Sequence, residues 1–329
     1  MENVPSKAEA KEIDVYIRTQ IKEAGDRLIT AHPWLGRTEA IAFTIHAISL
    51  LAMVLTTVLF GKGMIGPVCA ALSNTFWMST LHELEHDLVH CLYYGRPGQW
   101  RYELGFWTMY LFKFSVSPWW RRKYHLLHHS VSGTTRDVEE RVIGLGLPPS
   151  IGRFATILSP AGHLMLMPAI CKDNEGLVWH ELITSSMWTA LTPVVTILAI
   201  LAFPKGSIVN TLGYVSMVCI VIPAHIRHAA LNVVATYCHF YEDVRPHIVH
   251  DQIQILNSWW VIPFNALCWN FGGSHWIHHF VTNQPFWIRT LIAPELNAMN
   301  WNKALRRNDS GIVAAANRRG ARKVAAPGA

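Results

Sequence analysis

The chain opens on about forty polar and charged residues and then turns apolar four times. In residues 1–40, Ile13, Ile17 and Ile21 recur every fourth position among Lys, Glu, Asp and Arg. That spacing lays one apolar stripe along a helix and predicts a surface amphipathic helix suited to lying on a membrane. Four later runs approach the roughly 20 apolar residues that cross a bilayer: Ile41 to Phe60, Met64 to Leu81, Ser185 to Phe203 and Ser207 to Ala224. Only Gly61-Lys62-Gly63 and Pro204-Lys205-Gly206 separate the members of each pair, so the runs fold as two hairpins. Leu104 to Trp119 and Trp259 to Phe271 are shorter and rich in Trp and Pro. They predict interfacial or re-entrant segments, because Trp settles at headgroup level.

Charge gives the hairpins a direction. Each turn holds one lysine, and the remaining twenty-six of the twenty-eight Lys and Arg fall in the N-terminal, central and C-terminal segments. This asymmetry predicts that all three segments, and both termini, are cytosolic. No apolar stretch opens the chain, so no cleavable signal peptide is expected. Arg306, Arg307, Arg318, Arg319, Arg322 and Lys323 suit an anionic leaflet and membrane lipids; the net charge of +6 needs no nucleic acid. Residues 305–329, with Gly311, Gly320 and Gly328 among them, predict a disordered basic tail.

Composition supports the same picture: 51% of residues are hydrophobic and 15% charged, against roughly 25% charged in an ordinary soluble domain. The expected architecture is a single all-α integral-membrane domain over residues 1–329 with its core at 41–286. Four transmembrane helices in two hairpins carry a cytosolic helical cap, and a bacterial inner membrane is expected over the endoplasmic reticulum. Six cysteines without a CxxC pair suggest neither a disulfide framework nor a thiolate metal site, and read as buried thiols. Gly61, Gly63 and Gly66 match GxGxxG in spacing, but no strand precedes them, so no dinucleotide site is expected.

Histidine changes the reading from membrane protein to metal enzyme. Eighteen histidines stand against twenty-two acidic residues, and they cluster. His82-Glu83-Leu84-Glu85-His86-Asp87 lies at the cytosolic end of the second run. Four residues turn a helix by about 400°, so His82 and His86 share a face and can hold one ion; His90, a turn further on, could substitute. Tyr124-His125-Leu126-Leu127-His128-His129 follows the first short apolar stretch. Its histidines crowd one side of a helix, with His128 and His129 diverging enough to reach two different ions. His275-Trp276-Ile277-His278-His279 repeats that pattern. By the hairpin topology all three boxes meet on one membrane face, where a dinuclear metal site can form.

In order, these boxes resemble the membrane fatty-acid desaturase superfamily, whose pattern is HxxxH, HxxHH and HxxHH on a four-span scaffold. The closest part is Tyr124 to His129 with Gly133 and Asp137-Val138-Glu139 after it. The resemblance implies two non-haem iron ions, dioxygen as co-substrate, and oxidation of a fatty acyl chain, desaturation first. Hydroxylation and oxidative decarboxylation to a terminal alkene occur in the same superfamily and stay open. It also implies a ninth ligand: Ala235-Thr236-Tyr237-Cys238-His239 is similar to the family segment that supplies it, which favours His239 over His225 and His228.

Around these ligands, Glu83, Glu85, Asp87, Asp137 and Glu139 are placed to orient imidazoles through their second nitrogen. Arg121, Arg122 and Lys123 are candidates for a carboxylate, phosphopantetheine or lipid phosphate of a fatty acid, acyl thioester or lipid substrate, although cytosolic topology explains them equally well. An acyl tunnel is expected to open near them. The sequence holds no haem, iron–sulfur or flavin motif, so electrons must come from a ferredoxin, rubredoxin or cytochrome with its reductase. Two rivals remain. His82-Glu83-x-x-His86 is also HExxH, the zinc-protease pattern, but this leaves the other boxes unexplained. A metal transporter would want ligands near the bilayer midplane, not at the span ends.

Overall fold

The computed structural model describes residues 6–147, 150–158, 166, 169–172, 174, 179–242, 244–245, 247–301 and 304–307. Helix α1 (Lys7–Ala31) starts at a capping box: Ser6 Oγ accepts from Glu9 N at 3.3 Å, and Ser6 N donates to Glu9 Oε2 at 2.7 Å. These bonds satisfy amides that a helix start leaves over. The expected amphipathic helix therefore forms, but Ile17 and Ile21 are buried against two C-terminal helices, α12 (Phe271–Phe280) and α13 (Phe286–Ala298). Its stripe faces protein rather than lipid.

Helices α2 (Thr38–Gly61) and α3 (Pro67–Val89) pack together, as do α8 (Trp179–Ala202) and α9 (Ile208–Cys238). Among the described residues, α2 and α9 are long and apolar enough to cross a bilayer by length and composition. Helix α8 adds a shorter apolar stretch, Met187–Ala202. Helix α3 falls short because Asn74, Thr75, Ser79 and Thr80 dilute it, and all four are buried inside the bundle. Outward, the same helices show apolar surface: Phe43, Leu51 and Leu55 on α2, and Val195, Leu198 and Leu201 on α8, are each more than half exposed.

Helix α9 runs well past the expected end at Ala224, and its irregularity has a local cause. Pro223 has no N–H to give the carbonyl four residues earlier. That carbonyl, Cys219 O, accepts from Asn74 Nδ2 at 2.8 Å instead, and the backbone widens into a π-helical turn at Met217–Val221. The helix then continues to Cys238, just before His239.

The two Trp-rich stretches form short helices that bend. The first is α4 (Trp100–Lys113), ended by Phe114 in the left-handed region (φ 49°), before Pro118 opens α5 (Pro118–Val131). The second holds a 3-10 turn at Trp259–Val261 and α11 (Ile262–Leu267). Three smaller helices are α6 (Val138–Arg141), α7 (Ile151–Leu158) and α10 (Val249–Gln252). Gln254–Ile255 pairs in parallel with Arg306–Arg307, so the start of the expected basic tail is structured; residues 308–329 lie outside the described residues. Of the six free cysteines, Cys219, Cys238 and Cys268 are buried, Cys91 and Cys171 are half-buried and Cys69 is exposed, so only three match the expectation of buried thiols.

Candidate metal centre

All three histidine boxes lie on helices that converge. His82 and His86 occupy the last turns of α3, with His90 at its C-cap. His125, His128 and His129 lie on α5, and His275, His278 and His279 on α12. His239 follows the end of α9 in extended backbone. Close backbone approach sets two of these elements. A Cβ on Gly133 (φ +79°) would stand 2.7 Å from Phe240 O, and one on Gly272 would stand 2.8 Å from Leu256 O. The end of α5 can thus lie beside the extended backbone at His239, and α12 can start against β1 (Gln254–Ile255).

The ring nitrogens gather into two groups. In one, His86, His90, His125 and His278 bring ligand atoms within 4.8 Å of one another. His129 adds its Nε2, 3.1 Å from His125 Nε2 and 3.0 Å from His278 Nε2. In the other, His128, His239, His275 and His279 do the same, with Nε2 to Nε2 distances of 3.1 Å for His239 to His275 and 3.3 Å for His128 to His279. Imidazole nitrogens about 2.1 Å from a shared first-row ion, at angles of about 90° to 109°, stand about 3.0 to 3.4 Å apart. The spacing fits that geometry. His86 makes the same point differently: it is buried, and neither of its ring nitrogens has a protein partner. Leaving such a group unsatisfied costs about 1–3 kcal/mol, and an ion would satisfy it.

His82 departs from the expected pairing. Its Nε2 lies 3.1 Å from Arg121 Nη2 and its Nδ1 3.4 Å from Arg227 Nη1, and it joins neither group. His90 takes the place expected for it. Because both nitrogens of His82 are turned to guanidinium groups, the HExxH pair of a zinc protease does not form either. His225 bonds Val221 O at 2.8 Å and His228 contacts Asn232 Nδ2 at 2.8 Å; both stand apart from the two groups, whereas His239 is within one.

Two of the five expected carboxylates touch rings of these groups. Asp137 Oδ2 lies 2.9 Å from His128 Nδ1, and Glu139 Oε2 lies 2.7 Å from His125 Nδ1. Each makes Nδ1 the protonated nitrogen and leaves Nε2 facing the centre. Asp87 instead holds Arg289 at 2.9 Å and Phe286 N at 2.7 Å, and Arg289 in turn sits 3.3 Å from His278 Nδ1. Glu83 lies 3.9 Å from Arg289, while Glu85 binds Lys113 and Arg121. Sequence reasoning missed Glu140, whose Oε1 is 3.7 Å from His239 Nε2; its adjacency to Glu139 was the available signal. Burial, with the neighbouring imidazoles, pushes His125, His129, His239, His275 and His279 well below the usual histidine range. These rings are neutral, the form that binds metal. Burial acts the same way on His128, but the Asp137 carboxylate outweighs it and raises this ring to about 9.

A cavity of about 400 Å³ adjoins the centre and is lined by His86, His125, His128 and His275. Pro193 of α8 and Ile220, Val221 and Ala224 of α9 give it apolar walls. Of the three expected head-group cations only Arg121 lines it. Arg122 is half-buried outside it, and Lys123 is exposed and paired with Glu181 at 2.8 Å. Lys113 and Arg227 line it as well, and neither was anticipated. Arg227 could have been suspected, since an ionisable residue continuing an apolar span is rarely placed there without a role.

Helices that present two buried sets of imidazoles to an apolar cavity define a candidate dinuclear metal site beside a pocket suited to an apolar guest. The sequence model of the fatty acid desaturase family matches residues 63–303, well over half of the chain, and the chain belongs to that family. It is thereby an oxidoreductase of fatty-acid metabolism, in a family that is membrane-associated. Comparison with curated proteins gave no match.

Proposed function

We propose that the chain oxidises a fatty acyl chain with dioxygen at a di-iron centre and introduces a carbon–carbon double bond. His86, His90, His125, His129 and His278 would hold one iron, and His128, His239, His275 and His279 the other. The observation that carries this reading is the pair of imidazole groups, at ligand spacing, on the wall of an apolar cavity. Bound and reduced, the two irons supply dioxygen activation strong enough to act on an unactivated methylene.

The chain's own residues do the placing. Asp137 and Glu139 fix the tautomer and direction of two ligand rings, and the apolar residues of α8 and α9 hold a methylene chain while excluding water. Overall, two hydrogens leave adjacent methylenes, two electrons and two protons come from outside, and dioxygen becomes two waters. The electron donor is a separate ferredoxin, rubredoxin or cytochrome with its reductase. A second hollow of about 350 Å³, lined by Arg18, Lys22, His129 and His279, supports this by giving a donor a short approach to the imidazoles. Helices α2, α3, α8 and α9 would cross the membrane as two hairpins with both termini cytosolic, a reading supported by their exposed apolar residues and by the Lys and Arg asymmetry.

The test combines metal analysis with product analysis. Two irons per chain, and oxygen- and reductant-dependent formation of an unsaturated product from a labelled fatty acid in membranes, are expected. One zinc per chain with peptide cleavage would overturn the reading; an alcohol or a terminal alkene would keep the centre and change the product.

A further inference from the structure

One group of charges on the cavity wall does not balance. Lys113 and Arg121 both bind Glu85, and Arg121 also reaches Glu139 at 3.6 Å, a carboxylate already bonded to His125. Arg227 lines the same cavity and is 4% exposed. Among the described residues no carboxylate lies within ion-pair distance of it, and its Nε has no hydrogen-bond partner. A guanidinium cannot lose its charge to ease burial, so an unmatched one inside a protein is costly. The remaining acid on the wall, Glu140, is directed to His239.

His82 sharpens the imbalance. A neutral imidazole offers one acceptor and one donor nitrogen. Arg121 Nη2 lies 3.1 Å from Nε2 and Arg227 Nη1 3.4 Å from Nδ1, so His82 can accept from one guanidinium only and, in either tautomer, stands donor against donor with the other. Two donors that converge without an acceptor are what a carboxylate satisfies, because its two oxygens accept side by side. The walls beyond are apolar, formed by Pro193, Ile220, Val221 and Ala224, which suits a hydrocarbon attached to that carboxylate.

We propose that the cavity takes a free fatty acid carboxylate-first, with the carboxylate bound between Arg227 and His82, so that oxidation falls on the carbons nearest the carboxyl end. His82 stands one helical turn, about 5.4 Å of rise, before His86. A carboxylate held there therefore leaves only its first few carbons close to the first imidazole group. A thioester has no anion to place against Arg227, and a methyl-end-first chain would set hydrocarbon against a buried cation. The position of oxidation rests on the di-iron reading above; the carboxylate site rests on Arg227 and His82.

The experiment separates the two. In detergent, the metal-loaded full chain is titrated with dodecanoate and with dodecanamide, each displacing a fluorescent fatty acid, so that binding is read without turnover. The acid is expected to bind about tenfold or more tighter than the amide, as a charge-assisted bond requires. Arg227→Gln should level the two ligands, and Arg227→Lys should restore part of the difference. Dodecanoate deuterated at the two methylenes next to the carboxylate should lose label on turnover. Equal binding of acid and amide by the unmodified protein, or a preference that survives Arg227→Gln, would overturn the carboxylate site while leaving the metal centre standing. Oxidation at mid-chain or at the methyl end would overturn the carboxylate-first orientation. Failure of both ligands to bind would overturn the acyl substrate itself, and the site with it.

Discussion

Nδ1 of His128 lies 2.9 Å from Oδ2 of Asp137, nine residues further along the chain, and the turn at Gly133 between them brings the carboxylate back. Asp137 also accepts from Gly133 N at 3.2 Å and from Glu140 N at 3.3 Å, so one side chain caps α6 and orients the His128 ring.

Asp137→Asn should separate these two duties. Asparagine caps a helix about as well as aspartate, but it removes the charge that favours Nδ1–H on His128. Metal affinity is expected to fall by about 10–100-fold, read as iron retained during dialysis against a chelator, with little change in melting temperature. Unchanged iron retention would show that the Asp137 contact does not orient a ligand.

His82 and His90 exchange the importance that spacing alone assigned them. His90→Ala should lose about half of the bound metal, since it removes a nitrogen from one group only. His82→Ala should keep both ions and weaken the hold on the substrate. Iron counting on the two purified variants decides the matter; the opposite pattern would return His82 to the ligand set.

His128→Ala and His278→Ala should each abolish turnover and release metal, since among the described residues no spare imidazole faces either position. Wild-type turnover by either variant would remove the two-ion reading.

Asn74→Leu tests the repair around Pro223. Without the amide, Cys219 O loses the donor that stands in for the missing Pro223 N–H, at a cost of about 1–3 kcal/mol. Thermal unfolding in detergent should begin at a lower temperature, while iron content in the folded protein stays at the wild-type level. An unchanged melting curve would mean that the π-helical turn satisfies this carbonyl without Asn74.

Chain length should set affinity until the cavity is full. Each methylene moved from water to an apolar wall contributes about 0.8 kcal/mol, or about a fourfold gain in binding. A series of free acids from medium to long should show that rise and then a plateau. A flat series, or preference for a polar ring compound, would rule out an acyl chain as the guest.

Much of this protein was determined by the sequence alone, because the deciding signals are local. Helical spacing depends only on the chain's own geometry, so the boxes at His86, at His125 to His129 and at His275 to His279 are legible as helix faces, and the apolar runs are legible as paired helices. Tertiary structure decided the rest. On an isolated helix His82, His86 and His90 have nearly equal claims on one face; packing of α3 against Arg121 and Arg227 takes His82 out of the group and leaves His90 in. The same holds for His239, Glu140 and Arg227, whose places depend on where α9 ends, how the Gly133 turn returns, and which cation finds no anion nearby among the described residues. Those outcomes are set by contacts between residues far apart along the chain, such as Asn74 with Cys219 across 145 positions and His129 with His278 across 149. No local periodicity records them, because the energy that selects them arises only when the helices meet.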